Sequence, residues 1–345
     1  MNSIVKVGQR VLIVLIALVF VATTAFAAAP MFKIAPKGNK KIRIGVLDPN
    51  AAIEMAAVFN DVHAKYAKQR GWELVYVDLK DNFVESGNAL DNMISAGYDG
   101  IIIHYIGLKM CDKQVKKAFD KGIPVITVAA MGAEYPGVVA DIGPMEAGMG
   151  ALTAEFMASK LQPNDKVVTL HIPLLEINQI RQASAKGVFA AYNRTVAREL
   201  FYPLTGDPTQ WAYDQTKNVL LGDTKKEIKG IWCAYDGFGT NAARAAHDLG
   251  RDDVIVATVD DGSNVYVQMR KLPTMQAASG FACMSKEINA EVFDIFDKVF
   301  KGEQVQSQMI VPFWPRLVTK ANLPPKGYYI RACGGYSGPP DFVEK

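Results

Sequence analysis

Cysteine is scarce. The 345 residues hold four, Cys111, Cys233, Cys283 and Cys333, too few for a disulfide scaffold. No C-x-x-C pair offers a zinc ribbon or a thioredoxin-like site. The four histidines, His63, His104, His171 and His247, are scattered without metal-ligand spacing, and neither a metal nor a cofactor is expected. Charge of one sign is also missing. Lys and Arg number 38 against 35 Asp and Glu, a net +3, which excludes a nucleic-acid binder that works by phosphate neutralisation. The chain has no G-x-S-x-G elbow, no H-E-x-x-H and no G-x-x-x-x-G-K-[ST]. What remains is ordinary for a globular protein: half the residues are hydrophobic and 21% are charged. Disorder is excluded as the main state, and the length predicts two domains.

The apolar residues are unevenly spread. Lys6 and Arg10 precede an unbroken apolar run over 11–21, and Ala25-Phe26-Ala27 follows. This is the layout of a secretory signal peptide over 1–27, with cleavage expected before Ala28. The apolar core is short for a membrane span, which needs about 20 residues. No Cys follows it for lipid attachment, and no twin-Arg pair precedes it. Cleavage would leave 36 basic against 35 acidic residues, a net +1. In an exported chain the four cysteines permit three pairings, or remain as buried thiols.

From residue 41 onward, short apolar runs alternate with helical spacing. Strands are predicted over 42–47, 73–77, 101–104 and 123–128, with helices over 51–69, 88–96 and 113–121 between them. The pattern repeats with strands at 138–140, 166–170, 231–234, 254–259 and 275–279. Helices are predicted at 145–161, 182–197, 239–249, 263–270 and 287–300. Continuously apolar strands in β-α-β-α order predict an α/β fold with two doubly wound parallel-sheet lobes. Small molecules bind beyond the carboxyl ends of such strands, and two facing lobes form a cleft that closes by hinge motion. The strand ends are therefore where ligand-contacting residues are sought.

Those strand ends resemble the type I periplasmic solute-binding proteins of ABC importers, in the ribose-binding branch. The resemblance runs from about residue 41 to 322. It is carried by Gly97-Tyr98-Asp99-Gly100-Ile101-Ile102-Ile103, by Gly122-Ile123-Pro124-Val125-Ile126-Thr127, and by the strand ending at Asp260 with its preceding helix over 241–250. It implies a periplasmic location and three crossovers, near Ala140, Phe281 and 305–307. An N-terminal lobe would span 40–140 and 281–304, and a C-terminal lobe 141–280 and 305–324, with 325–345 as a tail. It also implies delivery to an ABC permease in the inner membrane, or presentation to a sensory receptor. Carried over position by position, the implied ligand-binding set is Asp48, Asn50, Glu54, His104, Gln182, Tyr213, Tyr235 and Asp260. Arg181, Trp211 and Asp236 are secondary candidates. Two departures stand out. Sugar binders often carry an Asp-Arg pair where this chain has Ala129-Ala130, and a Gln where it has Gly280. Losing a bidentate clamp on vicinal hydroxyls points away from a plain pentose or hexose, toward a modified sugar, a polyol, or a small amine-bearing or ring compound.

Bland roles compete for several of these residues. Asp48 and Asn50 are also good N-caps for the helix that follows, and Glu54 would answer a helix dipole. His104 is equally suited to a satisfied core position, and Tyr213 and Trp211 to lobe packing. One enzyme pattern is present: Gly237-Phe238-Gly239-Thr240-Asn241-Ala242 follows a strand, opens a helix and precedes Asp260 by about 20 residues, as a dinucleotide fingerprint would. It lies far from the first βαβ unit, and Asp236 stands where a pyrophosphate would approach. A glycosidase with two carboxylates is the other enzyme alternative. The expectation is a binding protein that leaves its solute unchanged.

Overall fold

The computed structural model describes residues 31–131, 135–280, 285–310, 315–326, 329–330 and 336–337. The predicted leader, Cys283, Cys333 and the crossover near Phe281 lie outside them, as does most of the tail. The strands are β1 (Met31–Phe32), β2 (Arg43–Asp48), β3 (Glu73–Asp78), β4 (Gly100–His104), β5 (Val125–Val128), β6 (Ala140–Ile142), β7 (Lys166–His171), β8 (Thr195–Phe201), β9 (Ile228–Cys233), β10 (Ile255–Val259), β11 (Met275–Gly280), β12 (Val305–Gln306), β13 (Gln308–Ile310), β14 (Arg316–Thr319), β15 (Tyr329–Ile330) and β16 (Tyr336–Ser337). The helices are α1 (Glu54–Arg70), α2 (Ser86–Ser95), α3 (Asp112–Asp120), α4 (Glu146–Lys160), α5 (Glu176–Ala191), α6 (Pro208–Gly222), α7 (Asp236–Asp248), α8 (Ser263–Lys271) and α9 (Ser285–Phe300).

Two six-stranded sheets result, ordered β13-β6-β5-β4-β2-β3 and β14-β11-β10-β9-β7-β8. Every pairing in the first is parallel. The second is parallel except where β14 runs antiparallel to β11. The central strands are buried on both faces because helices cover both: Val46, Ile102 and Ile126 on one face and Leu47, Ile101 and Ile103 on the other in the first sheet, Val168, Ile231 and Val256 on one face and Trp232 and Ala257 on the other in the second. This is the doubly wound α/β architecture that the continuous apolar runs predicted.

The chain passes between sheets after β6, between β11 and α9, and between β13 and β14. The last passage differs from the sequence expectation. Residues 308–310 still pair with β6, so the strand belongs to the first sheet, not to a second lobe that begins at 305. The first passage likewise follows Ile142, where the Gly143 amide donates to Ile310 O at 3.1 Å. Besides the short strands β1, β12, β13, β14, β15 and β16, two longer elements went unpredicted. The β8 strand is an edge strand with mostly exposed or half-exposed residues, so it lacks the apolar run that marks its neighbours. The α6 helix starts from Asp207, whose carboxylate accepts from the Thr209 and Gln210 amides, with Pro208 in its first turn. That is a clear cap signature in the sequence. The α5 helix begins at Glu176 and ends at Ala191, six residues earlier at each end than its spacing suggested.

Cys111 and Cys233 are buried free thiols. Among the described residues no helix is long and apolar enough to cross a membrane, and no group of side chains has the makings of a metal site.

Candidate functional site

A cleft opens between the carboxyl ends of the two sheets. From the first lobe it is lined by Pro49, Ile53, Glu54, Met55, Asp81, Phe83 and Tyr105. The second lobe contributes Ile172, Leu175, Ile177, Asn178, Arg181, Tyr202, Pro208, Tyr235, Asp236, Asp260 and Asp261. Most of the key positions follow a strand directly: Tyr105 after β4, Ile172 after β7, Tyr202 after β8, Asp260 after β10, and Tyr235 two residues beyond β9. Tyr105, Asp260 and Asp81 hold left-handed backbone, with φ of 49°, 65° and 64°. Such strained conformations at strand ends aim side chains that a continuing strand would bury, and they concentrate at functional sites.

Arg181 is the only basic residue in this lining, among the described residues, and it is sequestered. Its Nε donates to Glu146 at 2.5 Å, and its Nη1 donates to Asp260 at 2.9 Å and to the Ala234 carbonyl at 2.9 Å. Arg181 and Glu146 are both buried. The two flanking carboxylates hold the guanidinium charged despite its burial. Burial works the other way on the acids. It lifts Glu146 to about 7, although Arg181 opposes the rise. Asp236 is raised to about 8, by burial first and then by the nearby Asp260 charge. Burial also raises Asp260, against the pull of Arg181. The Tyr105 and Tyr235 hydroxyls are pushed far up by burial, with neighbouring carboxylates adding to the effect. Asp260 Oδ1 and the Tyr105 hydroxyl are buried without a hydrogen-bond partner. Orphaned polar atoms cost free energy unless something satisfies them, and both belong to residues of the cleft wall.

The lobes also touch across the cleft. Both Glu54 carboxylate oxygens accept from the Ser263 amide, at 3.0 and 3.1 Å. Glu54 opens α1 in one lobe and Ser263 opens α8 in the other, so the carboxylate sits at the positive end of a helix in the opposite lobe. On another side Gly107 abuts the second lobe so closely that a Cβ would lie 2.4 Å from the Leu174 carbonyl oxygen.

Of the residues expected from the sequence, Glu54, Tyr235, Asp260, Arg181 and Asp236 line the cleft; six do not. Asp48 and His104 lie beneath its floor, fully buried and bonded to each other, with His104 Nδ1 2.5 Å from Asp48 Oδ1. The other Asp48 oxygen accepts from Asn60 at 2.7 Å. Alternation along β4 explains the displacement: His104 turns into the sheet and Tyr105 takes the cleft. Asn50 donates to Asp81 at 2.7 Å and accepts from the Ala52 amide, so it positions a lining acid. It caps a turn, because α1 begins only at Glu54. Gln182 faces away, bonded to Thr169 and Glu199, one helical step from Arg181. Trp211 packs behind the wall against Tyr202 and Phe238, at centroid distances of 5.4 and 5.1 Å. Tyr213 sits on the outer surface, donating to Asp248 at 2.9 Å with Arg244 over its ring.

The sequence reading missed Tyr105, Tyr202, Asp81, Asn178 and Asp261. Tyr105 was legible as the first residue past its strand; Tyr202 was not, because β8 carries no apolar run to mark it. Asp261 explains Gly280: a Cβ there would lie 1.8 Å from Asp261 Cγ. The glycine makes room for a carboxylate that accepts from the Tyr266 hydroxyl. Ala129 and Ala130 are buried core residues outside the lining. The fingerprint glycines have packing reasons. A Cβ on Gly237 would meet the Tyr235 ring at 2.5 Å, and one on Gly239 would meet Thr258 at 2.4 Å. The Tyr235 ring thus covers the backbone that a pyrophosphate would have to approach.

Comparison with known proteins gives a consistent picture. A family model described as a periplasmic binding protein domain matches residues 44–286. The chain is 27% identical over 236 residues to the xylitol-binding protein of Mycolicibacterium smegmatis, a match spanning 66% of this chain and 64% of that protein. It is 27% identical over 251 residues to the ribose import binding protein RbsB of Salmonella typhimurium, covering 71% and 80% of the two chains. Among solved structures, a Caulobacter myo-inositol binding protein bound to myo-inositol superposes with a TM-score of 0.72 at 18% identity, over 84% of this chain and 97% of that one. An ABC transporter solute binding protein of Agrobacterium vitis with bound allitol superposes at 0.70 with 21% identity, over 81% and 96%.

Proposed function

The chain belongs to the periplasmic binding protein family, and on that premise we propose that it captures a small polar solute between its lobes for the membrane permease of an ABC importer. One observation carries this reading: a cavity at the strand ends of both sheets, walled from both lobes and holding buried polar atoms without partners. A solute there would satisfy those atoms and bridge the lobes, and its differential affinity for the closed form would drive closure. The permease would then select the closed form. The solute is a sugar, a modified sugar or a polyol. The names of the relatives support that class, and the absence of an Asp-Arg clamp at Ala129-Ala130 favours the last two. The solute leaves unchanged, since its binding energy goes into closure. Presentation of the closed form to a membrane receptor is the second use that the same geometry serves.

Export would place the protein in the periplasm, with the leader removed before Ala28. Intact mass of the protein recovered from that compartment is expected to match a chain starting at Ala28; a retained leader would overturn the export reading. The capture reading is tested by titration calorimetry of the mature chain against xylitol, ribose, allitol and myo-inositol, with native mass spectrometry of any solute that co-purifies. Binding with 1:1 stoichiometry and recovery of chemically unchanged solute is the expected result. Release of a modified product would overturn it.

A further inference from the structure

The charge of the cleft does not match a neutral solute. Five carboxylates line it, Glu54, Asp81, Asp236, Asp260 and Asp261, against the single base Arg181. That base is already spent, because Glu146 and Asp260 both hold it. The triad of Glu146, Arg181 and Asp260 therefore carries a net negative charge when ionised, before Asp236 and the other acids are counted. The rest of the wall is apolar or aromatic: Met55, Phe83, Ile172, Leu175 and Ile177, with the rings of Tyr105, Tyr202 and Tyr235. A polyhydroxylated neutral solute needs donors as well as acceptors on the wall. This wall is rich in acceptors, and its side-chain donors are Arg181, Asn178, the Asp236 carboxyl while it is protonated, and three tyrosine hydroxyls, of which the Tyr202 hydroxyl is already given to the Gly206 carbonyl at 2.6 Å. Carboxylates beside aromatic faces in a site shielded from water are the arrangement that holds an ammonium group.

We propose that the solute carries a protonated amine on a small hydroxylated body, an amino sugar or amino-polyol, with the ammonium seated among Asp236, Asp260 and Asp261. The proposal rests on the solute-capture reading and specifies it further. The body of such a solute lays its C–H face on the tyrosines and the aliphatic wall, and its hydroxyls meet Asn178 and the Tyr105 hydroxyl. The state of Asp236 agrees with this. Its carboxyl is held up to about 8 by burial and by Asp260, Glu54 and Asp261, with only the Gly237 amide working the other way. Tyr235, Asp81 and Arg181 complete the charged and titratable lining around it. An entering cation is what ionises it.

The test compares matched pairs by titration calorimetry on the mature chain at pH 7: D-glucosamine against D-glucose, and 1-amino-1-deoxy-D-sorbitol against D-sorbitol. The aminated member of at least one pair is expected to bind tenfold or more tightly than its neutral partner. Asp236→Asn and Asp260→Asn, each checked for native circular dichroism, are expected to shrink that ratio toward one. Repeating the titration in buffers of different ionisation enthalpy should show proton release on binding of the amine and none on binding of the neutral solute. Equal or tighter binding of the neutral members overturns the inference and leaves solute capture standing. Failure of every aminated probe to bind also overturns it. In that case a neutral solute found co-purifying would keep the capture reading, and the absence of any bound solute would remove that too.

Discussion

Arg181 occupies a position where removal of one side chain strands two charges. Glu146 and Asp260 are acids in a low-dielectric pocket, and each relies on the guanidinium for a charge-assisted hydrogen bond. Losing one partner of such a buried group is strongly destabilising, because the uncompensated charge stays behind. Arg181→Met is expected to lower unfolding free energy by about 3–5 kcal/mol, read from urea denaturation. Titration at the same site sets a pH dependence. Glu146 at about 7 and Asp236 at about 8 both lie above the values of free carboxyls, 4.5 and 3.8. The folded state then binds more protons than the unfolded one, so their contribution falls as pH rises through 7 and 8. His63 and His171 act in the opposite window. Burial lowers both below the ordinary value of 6.5, His171 to about 4, so their contribution is lost as pH falls below 6.5. The melting temperature of the ligand-free protein is expected to decline from pH 6.5 to 8.5, with Asp236→Asn flattening that decline. A rise over the same interval would contradict the burial of Asp236.

At the scale of elements, the site depends on how closely α4 and α5 meet. Gly150 in α4 lies against the backbone of α5, where a Cβ would stand 2.2 Å from the Arg181 carbonyl oxygen. That approach brings Glu146, one turn earlier on α4, into reach of the Arg181 guanidinium. Glycine is normally a poor helix residue, so two glycines in these helices should respond oppositely to alanine. Gly187 on α5 has nothing within 4 Å of the added atom, and Gly187→Ala is expected to stabilise by up to about 1 kcal/mol. Gly150→Ala is expected to cost about 1–3 kcal/mol through overpacking. Paired denaturation curves check both. Much of this level was legible from sequence. Buried central strands announce themselves as apolar runs, and most helices by their spacing. The edge strand β8 and the helix α6 were not found, for different reasons. An exposed edge has no apolar signature, whereas α6 carried its Asp207-Pro208 cap in plain view.

For the whole molecule, the question is what holds two lobes together around a cavity. The Glu54 carboxylate at the start of α8 is one direct link between them. A charged group at a helix N-terminus contributes about 0.3–1 kcal/mol when exposed. Glu54→Gln is therefore expected to weaken solute binding by about twofold to fivefold, with a larger radius of gyration for the solute-free protein in small-angle scattering. A saturating solute adds a larger effect: about 2.7 kcal/mol of apparent stability at a hundredfold excess over Kd. Both lobes should then unfold together in calorimetry.

By itself the sequence determined the class of architecture and the end of the sheets where a ligand would lie, because burial on both faces demands continuous apolar strands and parallel sheets open at their carboxyl ends. It also placed Glu54, Arg181, Tyr235, Asp236 and Asp260 near that end. Only the tertiary structure decided which neighbour faces the cavity: Tyr105 and not His104, Arg181 and not Gln182. In each case the two residues are adjacent, and a step of one position along a strand or helix turns a side chain from one face toward another. The charge of the cleft was likewise hidden. Acids are plentiful along the chain, and what matters is that five of them line one cleft whose base is already claimed by Glu146 and Asp260, an arrangement in space that no spacing in sequence encodes.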